Sequence, residues 1–90
     1  MFIVVAYDIS DDRRRTRLHK RLKGFGIPVQ YSVFECVLTE QNLRKLKETV
    51  LDTIKRDEDQ VRYYSLCRSC CAKIEAINGI VTEAVGTIVV

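Results

Sequence analysis

Apolar residues open the chain almost without a break: Phe2, Ile3, Val4, Val5, Ala6 and Tyr7 lead directly into Asp8. A β-branched run of this kind predicts a central strand, covered on both faces, over Phe2–Asp8. The period then changes. Arg15, Leu18, Leu22 and Phe25 recur near one stripe of a helix, with Arg14, Arg17, Lys20 and Arg21 spread around the rest. Ser10, Asp11 and Asp12 can each cap its N-terminus, and Gly24, Gly26 and Pro28 end it.

Residues 29–38 alternate, but the phase switches. Val29, Tyr31 and Val33 are the first apolar set, and Phe34, Cys36 and Leu38 take over. Strand side chains alternate with period two, so the switch predicts a bulge, bend or turn near Val33 and Phe34, and hence two short strands. Thr39 caps a second helix in which Leu43, Leu46, Val50, Leu51 and Ile54 hold helical spacing. The acidic run 57–59 ends it, and Gln60–Leu66 is the next strand.

The order β-α-β-β-α-β predicts an α+β, ferredoxin-like sandwich with both helices on one face of the sheet. The other face is left bare, which predicts a face-to-face homodimer. Residues 73–77, an Asn78-Gly79 turn signal, and residues 80–85 and 87–90 supply more strand than a four-stranded sheet needs. The chain therefore reads as one domain over 1–90, with a core over about 1–66 and a tail over 67–90. The extra C-terminal strand either joins the partner's sheet edge or packs on its own chain.

Composition sharpens the case for a second copy. Ninety residues with 47% hydrophobic content exceed what one small sheet easily hides. No stretch reaches the roughly 20 apolar residues of a membrane span, and the opening run is too short and wrongly flanked for a signal peptide. The expectation is a cytoplasmic protein with no membrane partner.

Charge changes the picture more. The net charge is only +3, yet residues 11–25 hold Arg13, Arg14, Arg15, Arg17, Lys20, Arg21 and Lys23 against Asp11 and Asp12 alone. The remainder of the chain is slightly acidic. Such a segment is either a solvated helix face or a footprint for an acidic partner such as nucleic acid. Cys36, Cys67, Cys70 and Cys71 come without a secretory signal, so a disulfide framework is not expected. Cys67-x-x-Cys70 has metal or redox spacing but is a single half-site, and a structural zinc there needs ligands from a second chain.

Tyr7-Asp8, then Arg13-Arg14-Arg15, then Gly26 and Val29-Gln30-Tyr31-Ser32-Val33-Phe34-Glu35, with VRYYSLC and KIEAI beyond, together resemble the CRISPR-associated protein two family. This is the small subunit of the spacer-acquisition machinery, often described as an endoribonuclease. The resemblance covers roughly residues 1–78. It implies a ferredoxin-like homodimer whose C-terminal strands cross to the partner, and places the family's metal-binding, catalytic aspartate on Asp8. It further implies either metal-dependent cleavage of RNA or DNA, or a non-catalytic role bridging dimers of a larger CRISPR integrase subunit.

The residues are compatible with that chemistry. Two Asp8 carboxylates across a dimer axis could share one Mg²⁺ and leave open positions for water and phosphate. Asp8 equally reads as a strand-end residue that caps a turn. Arg14, Arg15, Arg17, Lys20 and Arg21 are candidates for nucleic-acid contact, the guanidinium fork being suited to phosphate. Tyr7, Ser32 and Phe34 are candidates to line the site, each with a core role as the alternative. Lys23-Gly24-Phe25-Gly26 copies the start of an RNA-recognition-motif signature, but Ile27 and Pro28 break it at a helix end. A ferredoxin-like regulator of small ligands would have no use for the basic helix.

Overall fold

The computed structural model describes residues 1–77. The elements are β1 (Phe2–Asp8), α1 (Asp12–Leu22), β2 (Ile27–Gln30), β3 (Val33–Val37), α2 (Glu40–Thr53), β4 (Gln60–Leu66) and the single turn α3 (Arg68–Cys71). One antiparallel sheet runs in the order β2-β3-β1-β4, the ferredoxin-like arrangement read from the sequence. β1 is an inner strand, paired with β3 through Phe2↔Val37 to Ala6↔Val33 and with β4 through Phe2↔Leu66 to Asp8↔Gln60.

Alternation along β1 divides the molecule into two faces. Ile3, Val5 and Tyr7 join Phe34 and Cys36 against Leu18 and Leu22 of α1 and Leu46 and Val50 of α2, forming one closed core. Val4, Ala6 and Asp8 point the other way. Directly opposed residues share a face, so this open face also carries Val33, Glu35 and Val37 from β3, and Arg62, Tyr64 and Leu66 from β4. Val37 and Tyr64 are exposed there.

Both main helices begin on side-chain caps. Asp11 accepts the Arg14 amide at 2.9 Å, and Thr39 Oγ1 accepts the Asn42 amide at 3.1 Å. After α1 the chain passes Gly26, which lies so close to the Cys36 sulfur and the Glu35 carbonyl that an added Cβ would collide with both. Glycine is required there by space, because one of the two neighbours is backbone.

The expected turn between the two short strands is at Tyr31 and Ser32, directly ahead of Val33 and Phe34. Ser32 takes a left-handed φ of 63°, and a register shift between Pro28 and Gln30 absorbs the change of phase. Leu51 is exposed rather than on the buried stripe of α2. Thr53 is buried instead, its hydroxyl donating to the Thr49 carbonyl at 2.7 Å. Residues 73–77 form no strand; the helical turn α3 precedes them. The Asn78-Gly79 turn and the strands expected at 80–85 and 87–90 lie outside the described residues.

Candidate nucleic-acid interface and carboxylate site

Asp8 ends β1 on the open face, exposed, next to Arg62 and Gln60 of β4 around a shallow pocket of about 150 Å³. Among the described residues its carboxylate makes no hydrogen bond or ion pair, so it does not cap the helix that follows; Asp11 does. As a hard oxygen donor left open to solvent, it suits a divalent cation such as Mg²⁺. One chain supplies only part of a site, because no three His, Cys, Asp or Glu side chains converge on a metal-sized gap among the described residues.

The cations of α1 fall into two groups. Arg14 forks onto Asp59, with Nε at 2.9 Å from Oδ2 and a terminal nitrogen at 3.2 Å from Oδ1, and reaches Glu58 at 3.2 Å. The Asp59 side chain is fully buried. Hydrogen bonds from the Arg14 guanidinium, with help from the Lys55 amide, hold its carboxyl below the usual range. Arg15 donates to the Ile9 carbonyl at 2.9 Å and pairs with Asp12. Arg21 donates to Asp52 at 2.9 Å and to the Thr53 hydroxyl at 2.8 Å. Three of the five cations expected to meet phosphate are thus already engaged within the chain, since each lies on the flank of α1 that meets β1, α2 or the acidic loop.

Arg17 and Lys20 remain, and Arg13 joins them. These three are exposed and have no carboxylate within ion-pairing distance among the described residues. With Asp12 and Thr16 they line one shallow depression of about 420 Å³. Positions 13, 17 and 20 stand at i, i+4 and i+7, a single stripe of the helix. Arg13 was absent from the expected contacts, although that spacing was the signal that could have found it.

Tyr7, Ser32 and Phe34 do come together, but on the helix side of the sheet, away from Asp8. The Tyr7 amide donates to the Ser32 carbonyl at 3.0 Å, and the Tyr7 and Phe34 rings lie 6.4 Å apart. Phe34 is wholly buried and is core. Tyr7 and Ser32 line a cavity of about 330 Å³ with Arg15, Thr16, His19 and Tyr31. Burial, and secondarily the nearby Tyr31, raise the Tyr7 pKa. His19 sits edge-on to Phe34 at 5.1 Å, with Nδ1 3.4 Å from the Tyr7 hydroxyl. Adjacent residues of one strand therefore serve opposite faces, Tyr7 this cavity and Asp8 the open sheet.

Residues 1–74 match the family described as CRISPR associated protein Cas2. A relative named CRISPR-associated endoribonuclease Cas2 1, from Chloroflexus aurantiacus, is 45% identical over 79 residues, covering 87% of this chain and 85% of its own. Among solved structures, Streptococcus pyogenes Cas2 aligns with a TM-score of 0.78 at 26% identity, over 87% of this chain and 100% of that one. A chain of a partial Cas6-RT-Cas1–Cas2 complex aligns with a TM-score of 0.74 at 28% identity, over 89% and 88%.

Proposed function

The chain belongs to the CRISPR associated protein Cas2 family, and from that premise we propose that it works as a homodimer hydrolysing phosphodiester bonds of RNA or DNA at a paired Asp8 site. The observation that carries this reading is Asp8 itself, a carboxylate exposed on a bare sheet face with no partner among the described residues. Two copies packed through that face would cover Val37 and Tyr64 and bring two strand-end carboxylates toward each other. Two close carboxylates repel, which favours a shared cation between them. A bound Mg²⁺ would supply Lewis-acid polarisation of a phosphoryl oxygen. Asp8 holds and orients, Arg62 beside it adds positive charge, and the Arg13, Arg17 and Lys20 stripe holds the strand through its phosphates without reading bases. The names of the relatives as endoribonucleases support this reading.

A second reading has its own observation. No second acid and no histidine lines the pocket at Asp8 among the described residues to serve as a general base, while the basic stripe suits duplex backbone and a similar chain sits in a partial Cas6-RT-Cas1–Cas2 complex. On that reading the dimer is a DNA-bridging subunit beside a larger CRISPR integrase in spacer acquisition, and any cation only neutralises the carboxylates. The deciding experiment incubates labelled duplex DNA and single-stranded RNA with and without Mg²⁺, for the wild type and Asp8→Asn, and reads binding in the same samples. Mg²⁺-dependent cutting that disappears in the variant while binding persists supports the nuclease. Equal binding with no cutting by either protein supports the bridge.

A further inference from the structure

Cys67 and Cys70 are exposed, whereas Cys36 and Cys71 are buried. Cys67 is the N-cap of α3 and Cys70 lies three residues on, within the same turn. The Cα atoms of residues so spaced on a helix lie about 5 Å apart, inside the Cα span that a disulfide bridges. Cys67 Sγ lies 3.2 Å from the Ser69 hydroxyl, within the same turn as Cys70. A cavity of about 580 Å³ opens beside Cys67, lined also by Met1, Phe2, Val37, Leu66 and Cys71. It gives a small molecule room to reach the sulfur.

The two thiols differ chemically. The Ser69 hydroxyl first, and then the Cys70 amide and thiol, hold Cys67 down to about 7, so a large share is thiolate at neutral pH. Cys70 is pushed up because it donates to Cys67 and faces its charge. Cys71 is raised by burial, and burial pushes Cys36 up to about 11, which leaves both unreactive. One exposed nucleophile beside one exposed resolving thiol is the arrangement of a dithiol that exchanges with disulfides.

We propose that Cys67 and Cys70 form a reversible intramolecular disulfide by exchange with small-molecule disulfides, Cys67 being the attacking thiolate. Cys67 attacks one sulfur of the small disulfide, its S–S bond breaks, and one thiolate leaves. Cys70 loses its proton to solvent and attacks the Cys67 sulfur, releasing the second thiolate. The chain gives up two electrons and two protons, and the small disulfide becomes two thiols. The pair lies at the Leu66 end of β4, whereas Asp8 lies opposite Gln60 at the other end, about 20 Å away. The exchange therefore stands or falls apart from any phosphodiester chemistry.

The test treats the reduced, metal-free full chain with oxidised glutathione at neutral pH, counts free thiols and maps the linkage by peptide mass spectrometry. The expected result is loss of two of the four thiols as a Cys67–Cys70 link, with Cys36 and Cys71 still free. In Cys70→Ser a single glutathione should remain trapped on Cys67. Four thiols surviving, consumption of Cys36 or Cys71, or links between chains would overturn the proposal. So would thiols of the chain as isolated that resist glutathione until a chelator is added, which would mark a metal site shared between copies.

Discussion

The two flanks of α1 carry the same kind of residue for opposite purposes. On one flank Arg14 and Arg21 are consumed by Asp59, Glu58, Asp52 and Thr53, groups that follow them by 31 to 45 residues in the chain. On the other, Arg13, Arg17 and Lys20 face water without an ion pair among the described residues, the nearby Asp12 being paired to Arg15. A guanidinium paired to a buried carboxylate fastens the 57–59 loop to the helix. Its charge is neutralised locally and adds little attraction for a polyanion. The cluster of cations that looks uniform in sequence is therefore a structural clamp and a binding stripe, laid side by side on one helix.

The widest separation between the flanks should come from Arg13, Arg17 and Lys20 replaced together by alanine. Loss of three phosphate contacts per chain lowers duplex affinity by roughly two to three orders of magnitude near 0.1 M salt, and flattens the salt dependence by about three in slope for each chain that touches the duplex. Fluorescence anisotropy against salt reads both. The unfolding free energy read from urea titration should stay within about 0.5 kcal/mol per substitution of wild type, because these are surface changes. Unchanged binding would break the comparison at its stronger end.

Arg14→Ala should do the reverse, lowering the urea midpoint while the folded fraction binds nucleic acid almost as before. Removing the arginine leaves a buried Asp59 carboxylate without its cation. Arg14→Lys should recover only part of the loss, since an ammonium cannot reproduce the two-pronged contact. A large binding defect in Arg14→Ala at full stability would move this residue to the other flank.

The smallest effect is a slope. Asp59 and Glu58 have folded pKa values below the ordinary carboxylate range, Asp59 through Arg14 first and Glu58 through Lys55 first. Their stabilisation is fully present above the unfolded pKa of about 4 and is lost as pH falls through the lower folded values. Urea midpoints followed from about pH 6 to about pH 3 should therefore decline. In Asp59→Asn the curve starts lower and declines less. An identical acid limb in the variant would show that other carboxylates carry it.

Local signals were the legible ones. The bounds of β1 and β4 and the cap Thr39 follow from neighbouring residues alone, and the structure has them where the pattern put them; of the three caps open to α1 it uses Asp11. The change of phase announced the turn before β3 but not its residue, because a serine, with neither Gly nor Asn nearby, occupies the left-handed position and the bulge hides the true phase. α3 is four residues long, too short for any periodicity to announce it. The division of the cations was illegible for a different reason. It depends on where the 57–59 loop comes to rest, and that acidic run read only as the end of a helix. The opposite facing of Tyr7 and Asp8, by contrast, was present in simple alternation, obscured by reading β1 as covered on both sides.

That alternation bears on how the chain tolerates changes of length. β1 is laddered to β3 on one edge and β4 on the other, so it cannot slide without disrupting both. A substitution at Val4 or Ala6 leaves Asp8 where it is. Deleting one residue between Ile3 and Tyr7 with the strand's start fixed does something else: it turns the carboxylate into the helix layer and the phenol out to the open sheet. Insertions and deletions in this strand are therefore inversions of the molecule's two surfaces, and length variation has to be absorbed beyond Asp8, in the loop before Asp12.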